Sequence, residues 1–93
     1  MVQGTEIVAT LRRFLLATLQ RRRRRTEISP TESLINGGVI DSLSVVELIA
    51  FIERHYALEF DLEDLVAENF DTLQRIAALV ASKQRRGARP LGS

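Results

Sequence analysis

"GGVIDSLSVVELIAFIE", Gly37 to Glu53, decides how the chain reads. Two glycines release the backbone, an Asp-Ser pair offers side-chain oxygens to a helix start, and an uninterrupted helical pattern follows. Projected at about 100° per residue, Val45, Leu48, Ile49 and Ile52 share one arc, the expected core face. Leu43, Val46 and Ala50 share a second arc beside Ser42, bordered by Glu47, Glu53 and Arg54. A helix lying on a small bundle needs one apolar stripe. The second is either buried by a neighbouring loop or left as an apolar landing patch.

Outward from this helix, predicted over Ser42 to Tyr56, the rest also reads as helical, with nothing strand-like. The first helix spans about Thr5 to Arg24, with Ile7, Val8, Leu11, Leu15 and Leu19 at spacings of three and four. Residues 26–40 form a long connection that Ile28, Leu34, Ile35 and Ile40 tuck onto the core. Within it "SPTE" predicts one short helical turn. A short third helix is expected at Leu62 to Val66. In "NFDTLQ", Asp71 is the expected cap of the last helix, with Gln74 completing a capping box and Leu73, Ile76, Ala77 and Val80 as its buried stripe. The expected fold is an all-α four-helix bundle with a long loop between helices 1 and 2 and a short third helix. Its core is Leu11, Leu15, Val45, Leu48, Ile49, Ile52, Leu73, Ile76 and Val80. Residues 1–82 form the domain, and 83–93 a basic, flexible tail.

Composition narrows the function. The chain has 93 residues, one domain's worth, with 45% hydrophobic and 27% charged residues. With no cysteine, disulfides and thiolate metal sites are excluded, and the cytoplasm is the simplest compartment. One histidine leaves little room for a metal site or a histidine-based catalytic machine, and none is expected. "FLLATL" precedes its arginines, the reverse of a secretory signal, and no apolar run approaches the ~18 residues that span a bilayer. The net charge of +1 conceals basic ends and an acidic centre: +5 over residues 1–30, −8 over 31–82 and +4 over 83–93. Such a field steers partners.

Ser42 invites a catalytic reading and then refuses it. A nucleophilic serine needs a base within reach. His55 lies about 20 Å along the same helix and on nearly the opposite side. Lys83, the only lysine, is in the tail. A serine exposed at a helix start is better placed to be modified, because a phosphate there meets backbone N–H groups and the positive end of the dipole. Simple capping by Asp41 or Ser42, with Ser44 and Glu47 as a capping box, is compatible with that role.

The Asp41-Ser42-Leu43 triplet, the Glu47-Leu48 pair and the order of helices resemble acyl and peptidyl carrier proteins over roughly residues 5–82. The resemblance implies a carrier and not an enzyme. Ser42 would accept covalent 4′-phosphopantetheine from coenzyme A, and the arm's thiol would hold acyl or aminoacyl groups as thioesters. Asp41 would support transferase recognition, while Leu43, Val46, Glu47, Ala50 and Glu53 would form the docking patch. The implied partners are a phosphopantetheinyl transferase, an acyl- or aminoacyl-loading ligase and downstream synthase or tailoring enzymes. Neither nucleic acid nor a membrane is among them, and the protein is expected to be a monomer.

The Met start, size and tails suggest a free-standing carrier. The "IDSL…ELIAFIE…ENFDT" run is closer to carriers of polyketide, nonribosomal-peptide or related specialised biosynthesis than to the very acidic carrier of fatty-acid synthesis, the alternative. Ser44 stands where many members have an acid, Arg54 interrupts the acidity of the second helix, and Asp61 replaces a frequent proline. The rival of another class is a small basic helical protein binding nucleic acid through Arg21 to Arg25. No aromatic interleaving or recognition helix supports it.

Overall fold

A computed structural model describes residues 4–21 and 27–87. Helices α1 (Gly4–Arg21), α2 (Ser42–Tyr56) and α3 (Leu73–Gly87) carry the fold. Among the described residues the rest is loop and two 3-10 turns, Leu62–Asp64 and Ala67–Phe70. The architecture is all-helical, but the expected third helix is not one α-helix. Asp61 and Asp64 form a reciprocal capping box around Leu62–Asp64, which closes the backbone into a tight turn before an α-helix can propagate. Residues 22–26 lie outside the described part, and with them most of the arginine run.

The core forms where the helices present their apolar stripes. Ile7, Leu11, Leu15 and Leu19 of α1 are buried against Leu48 and Ile52 of α2 and Leu73, Ile76, Ala77 and Val80 of α3. Val45 and Ile49, expected in the core, are only half-buried and line its margin. Phe14 of α1 stacks on Phe51 of α2 with ring centroids 4.3 Å apart, which places Phe51 in the packing between helices. Thr18, buried on α1, donates its hydroxyl to the Phe14 carbonyl one turn back.

The long loop is anchored as expected by Ile28, Leu34 and Ile40, with Val39 as a further buried residue, while Ile35 is half-buried. "SPTE" forms its single turn. The Glu32 N–H donates to the Ser29 carbonyl, and the Ser29 N–H to the Glu32 carboxylate. The two glycines have separate reasons. A Cβ on Gly37 would collide with the Ser33 carbonyl oxygen, whereas Gly38 adopts φ +73°, the left-handed region.

The start of α3 corrects one expectation. Thr72 is the cap: its hydroxyl accepts the Arg75 N–H at 3.0 Å, and its carbonyl accepts the Ile76 N–H. The Asp71 carboxylate turns back into the long loop, and Gln74 makes no capping box. Its N–H donates instead to the Pro30 carbonyl. At the other end α3 runs to Gly87, so the boundary expected at residue 82 falls inside the helix. Lys83, assigned to a flexible tail, is held by Asp64 at 2.6 Å and Asp61 at 3.2 Å. Residues 88–93 lie outside the described part.

Candidate functional site

Asp41 ends the loop in extended backbone, φ −103° and ψ −178°, and its Oδ1 accepts the Ser44 N–H at 2.9 Å. It is therefore the N-cap of α2, and Ser42 is the first helical residue. Helix geometry leaves the N–H groups of Ser42 and Leu43 without an intrahelical acceptor, at the positive end of the dipole. The Ser42 side chain is exposed. Ser44, two positions on, is 1% exposed, because a rotation of about 200° turns it inward. Two serines in one turn thus face opposite environments. Ser44 supplies the N3 backbone N–H to Asp41, so of the two expected caps, Asp41 and Ser42, Asp41 is the one that forms.

The second apolar arc is not covered by the loop. Leu43 is 59% and Val46 61% exposed, and Ala50 is exposed beside them. Large aliphatic side chains left in water next to an exposed serine form a patch fit for a partner. The charges expected around the patch behave differently. Glu47 is half-buried. Glu53 is half-buried too, and its Oε2 accepts the Phe60 N–H at 3.0 Å, tying the loop after α2 back onto that helix. Arg54 is exposed. The solvent face of α2 therefore combines the apolar patch with the exposed Arg54 and His55 and shows little exposed negative charge.

Beside Ser42 the surface dips into a groove of about 330 Å³. Val45, Val46 and Ile49 of α2 form one wall, Leu65 and Val66 the other, and Ser42 stands at the rim. Ile35 and the buried Phe70 complete it. The far wall was not anticipated from sequence. Its signal was available in the Leu65-Val66 pair, which is too short to show a period of its own.

Four further polar contacts brace the site. The Asp71 carboxylate accepts the Ser33 hydroxyl at 2.7 Å and the N–H groups of Ile35 and Asn36 at 2.9 and 3.0 Å. These bonds, the Ser33 hydroxyl foremost, hold the Asp71 carboxyl below the usual carboxylate range. Arg12 Nε donates to the Ile28 carbonyl at 3.1 Å, pinning the start of the loop to α1.

Among the described residues no side-chain base is hydrogen-bonded to Ser42. His55 is at the opposite end of α2, stacked on Phe51 with centroids 5.1 Å apart. Among the described residues no group of acidic or histidine side chains is arranged to hold a metal ion. No helix among them is long and apolar enough to cross a membrane.

A family model described as the phosphopantetheine attachment site matches residues 9–80. That span includes α2, the groove and the body of α3. Among curated proteins, no sequence matches the chain.

Proposed function

Because the chain belongs to the phosphopantetheine attachment-site family, whose members are carriers and not catalysts, we propose that Ser42 is its attachment residue. Members of this family hold 4′-phosphopantetheine covalently, and its thiol carries intermediates as thioesters. One observation carries the assignment to Ser42. It is the exposed hydroxyl at the first position of α2, above a helix N-terminus able to receive a phosphate and beside both an apolar patch and a groove.

The chain's residues divide the work. Asp41 fixes the start of α2 and with it the backbone from which the Ser42 hydroxyl projects. The N–H groups of the first turn favour the phosphodiester's negative charge. Leu43, Val46 and Ala50 offer apolar area to the transferase and to later enzymes. Glu47 and Glu53 border this area, and Arg54 asks for an acidic group opposite. The base that accepts the Ser42 proton has to come from the transferase, since His55 is at the far end of the helix.

The weak exposed acidity of α2 supports placing the carrier in polyketide, nonribosomal-peptide or related specialised biosynthesis, with fatty-acid synthesis the second pathway. A loading ligase and downstream synthase or tailoring enzymes complete the set of partners. The cytoplasm suits the role, since an arm ending in a free thiol persists where thiols are kept reduced.

Incubation with coenzyme A and a promiscuous phosphopantetheinyl transferase, followed by intact-mass measurement, tests the assignment. Wild type is expected to gain one phosphopantetheine and Ser42→Ala none. Modification of Ser42→Ala, or none of wild type, overturns it. Salt-sensitive nucleic-acid binding lost on replacing Arg21 to Arg25 would favour the basic-protein reading instead.

A further inference from the structure

The far wall of the groove is held by a different kind of force from the near wall. Val45, Val46 and Ile49 stand on α2, which is fixed by the buried Leu48 and Ile52. Leu65 and Val66 stand on the 61–69 segment, whose first turn, Leu62–Asp64, contains no buried residue. Leu62 is 89% exposed, and Leu65 and Val66 are partly exposed. Apolar burial therefore anchors this segment only at its ends. There Phe60 and the buried Phe70 meet edge to face with centroids 5.4 Å apart.

Between those ends the segment is tied by polar contacts that converge on Asp64. Lys83 of α3 donates to Asp64 Oδ2 at 2.6 Å and to Asp61 Oδ2 at 3.2 Å. The same Asp64 Oδ2 accepts the Asp61 N–H at 2.8 Å, and the Asp64 carbonyl accepts the Asn69 side-chain amide at 3.0 Å. The Lys83 side chain is 10% exposed and Asp64 nearly as enclosed, so this pair is screened by solvent much less than a surface ion pair. The Asp64 hydrogen bond, then Asp61, holds the Lys83 ammonium above the ordinary lysine range, against the opposing effect of burial. Lys83 is the chain's only lysine.

We propose that Lys83 is a positioning residue. By clamping Asp64 and Asp61 it holds Leu65 and Val66 across from α2, and so limits the size of cargo that the groove beside Ser42 can shelter. If Ser42 carries the arm, as proposed above, a groove of about 330 Å³ has room for a short acyl or single-ring cargo. It is roughly twice the ~150 Å³ cavity that accepts benzene. A long chain needs the wall to move, and moving it means breaking the Lys83 clamp.

Two measurements on the full chain test this. The first uses the unmodified protein and reads amide hydrogen exchange. In Lys83→Met, the Asp64 and Leu65 amides, bonded to the Asp61 and Leu62 carbonyls, are expected to exchange about tenfold faster while those of α1 stay unchanged. Lys83→Arg is expected to restore protection. Unchanged exchange at Asp64 and Leu65, or an equal rise throughout the chain, overturns the clamp. Asp64→Asn weakens the same contact from the other side and replaces Lys83→Met if that variant does not fold.

The second measurement loads hexanoyl- or dodecanoyl-phosphopantetheine onto Ser42 from the corresponding coenzyme A thioesters, releasing adenosine 3′,5′-bisphosphate, and follows cleavage by hydroxylamine. In wild type the hexanoyl thioester is expected to survive about threefold longer than the dodecanoyl one, because the groove excludes the nucleophile from the shorter cargo. In Lys83→Met the ratio is expected to fall towards one, with rescue by Lys83→Arg. A ratio unaffected by Lys83→Met, or no discrimination in wild type, overturns the cargo-size role. Failure of the transferase to load wild type would instead overturn attachment at Ser42. The exchange result would still decide whether Lys83 holds the wall.

Discussion

The Ser33 hydroxyl donates to the Asp71 carboxylate at 2.7 Å, joining the middle of the long loop to the residue that precedes the cap of α3. Asp71 also takes the Ile35 and Asn36 N–H groups. One carboxylate thus organises the loop that delivers Asp41 and Ser42 to the start of α2. Its folded-state pKa is lowered. The stability it contributes is therefore fully present above the unfolded value of about 3.9 and is lost as pH falls through the lower folded value. Asp71→Asn is expected to lower the thermal midpoint at pH 7 and to narrow the gap from wild type as pH drops below about 4. Thermal unfolding followed by circular dichroism across pH 2–7 checks this, and a gap constant with pH would contradict it.

Gly37 and Gly38 should respond differently to alanine. At Gly37 a Cβ collides with the Ser33 backbone carbonyl, so the Ser33–Gly37 turn has to shift. At Gly38 there is open space and the cost is the left-handed backbone alone, about 1–2 kcal/mol. Gly37→Ala is expected to be the more destabilising in urea unfolding, and to slow transferase modification of Ser42 as well.

The two faces of α2 are expected to separate stability from recognition. Leu48 is fully buried, and Leu48→Ala is expected to cost about 2–5 kcal/mol. Val46 is exposed, and Val46→Asp is expected to change stability by less than about 0.5 kcal/mol. Modification by the transferase should nevertheless fall about tenfold in Val46→Asp, the equivalent of about 1.4 kcal/mol of lost docking. Equal modification rates in Val46→Asp and wild type would remove Val46 from the docking surface.

Ala57 ends α2 in the left-handed region, φ 53° and ψ 52°, with its N–H bonded to the Glu53 carbonyl. Alanine there bears a steric cost of about 1–2 kcal/mol. Glycine removes that cost but gains unfolded-state entropy worth about 0.4–1 kcal/mol. Ala57→Gly is expected to stabilise the protein by about 0.5–1 kcal/mol, read as a rise in the unfolding midpoint.

Much of this was legible in the sequence, for identifiable reasons. The bounds of α2 follow from Asp41 and the periodic apolar run, and the match is residue for residue. Seven of the nine expected core residues are buried, while Val45 and Ile49 sit on the arc's edge facing the groove. What escaped involves polar side chains acting over long separations. Local spacing makes Asp71 a cap, yet its partners are in the long loop, and only the fold brings Ser33 to it. Thr72, a weaker capping type, then takes the helix. Lys83 likewise looks like tail until the turn at Asp61–Asp64 is folded against α3. The exposure of Leu43 and Val46 was readable only as one of two alternatives, since periodicity identifies a second stripe but not what covers it.

The burial of Ser44 has a consequence for regiochemistry. Ser42 and Ser44 have the same hydroxyl and nearly the same sequence surroundings, so intrinsic reactivity offers no way to choose between them. The fold chooses: a reagent approaching the start of α2 meets one alcohol on the outside, with its twin walled off behind the helix backbone. An enzyme acting there needs no chemical discrimination between serines, because two residues of helical phase leave it a single substrate atom.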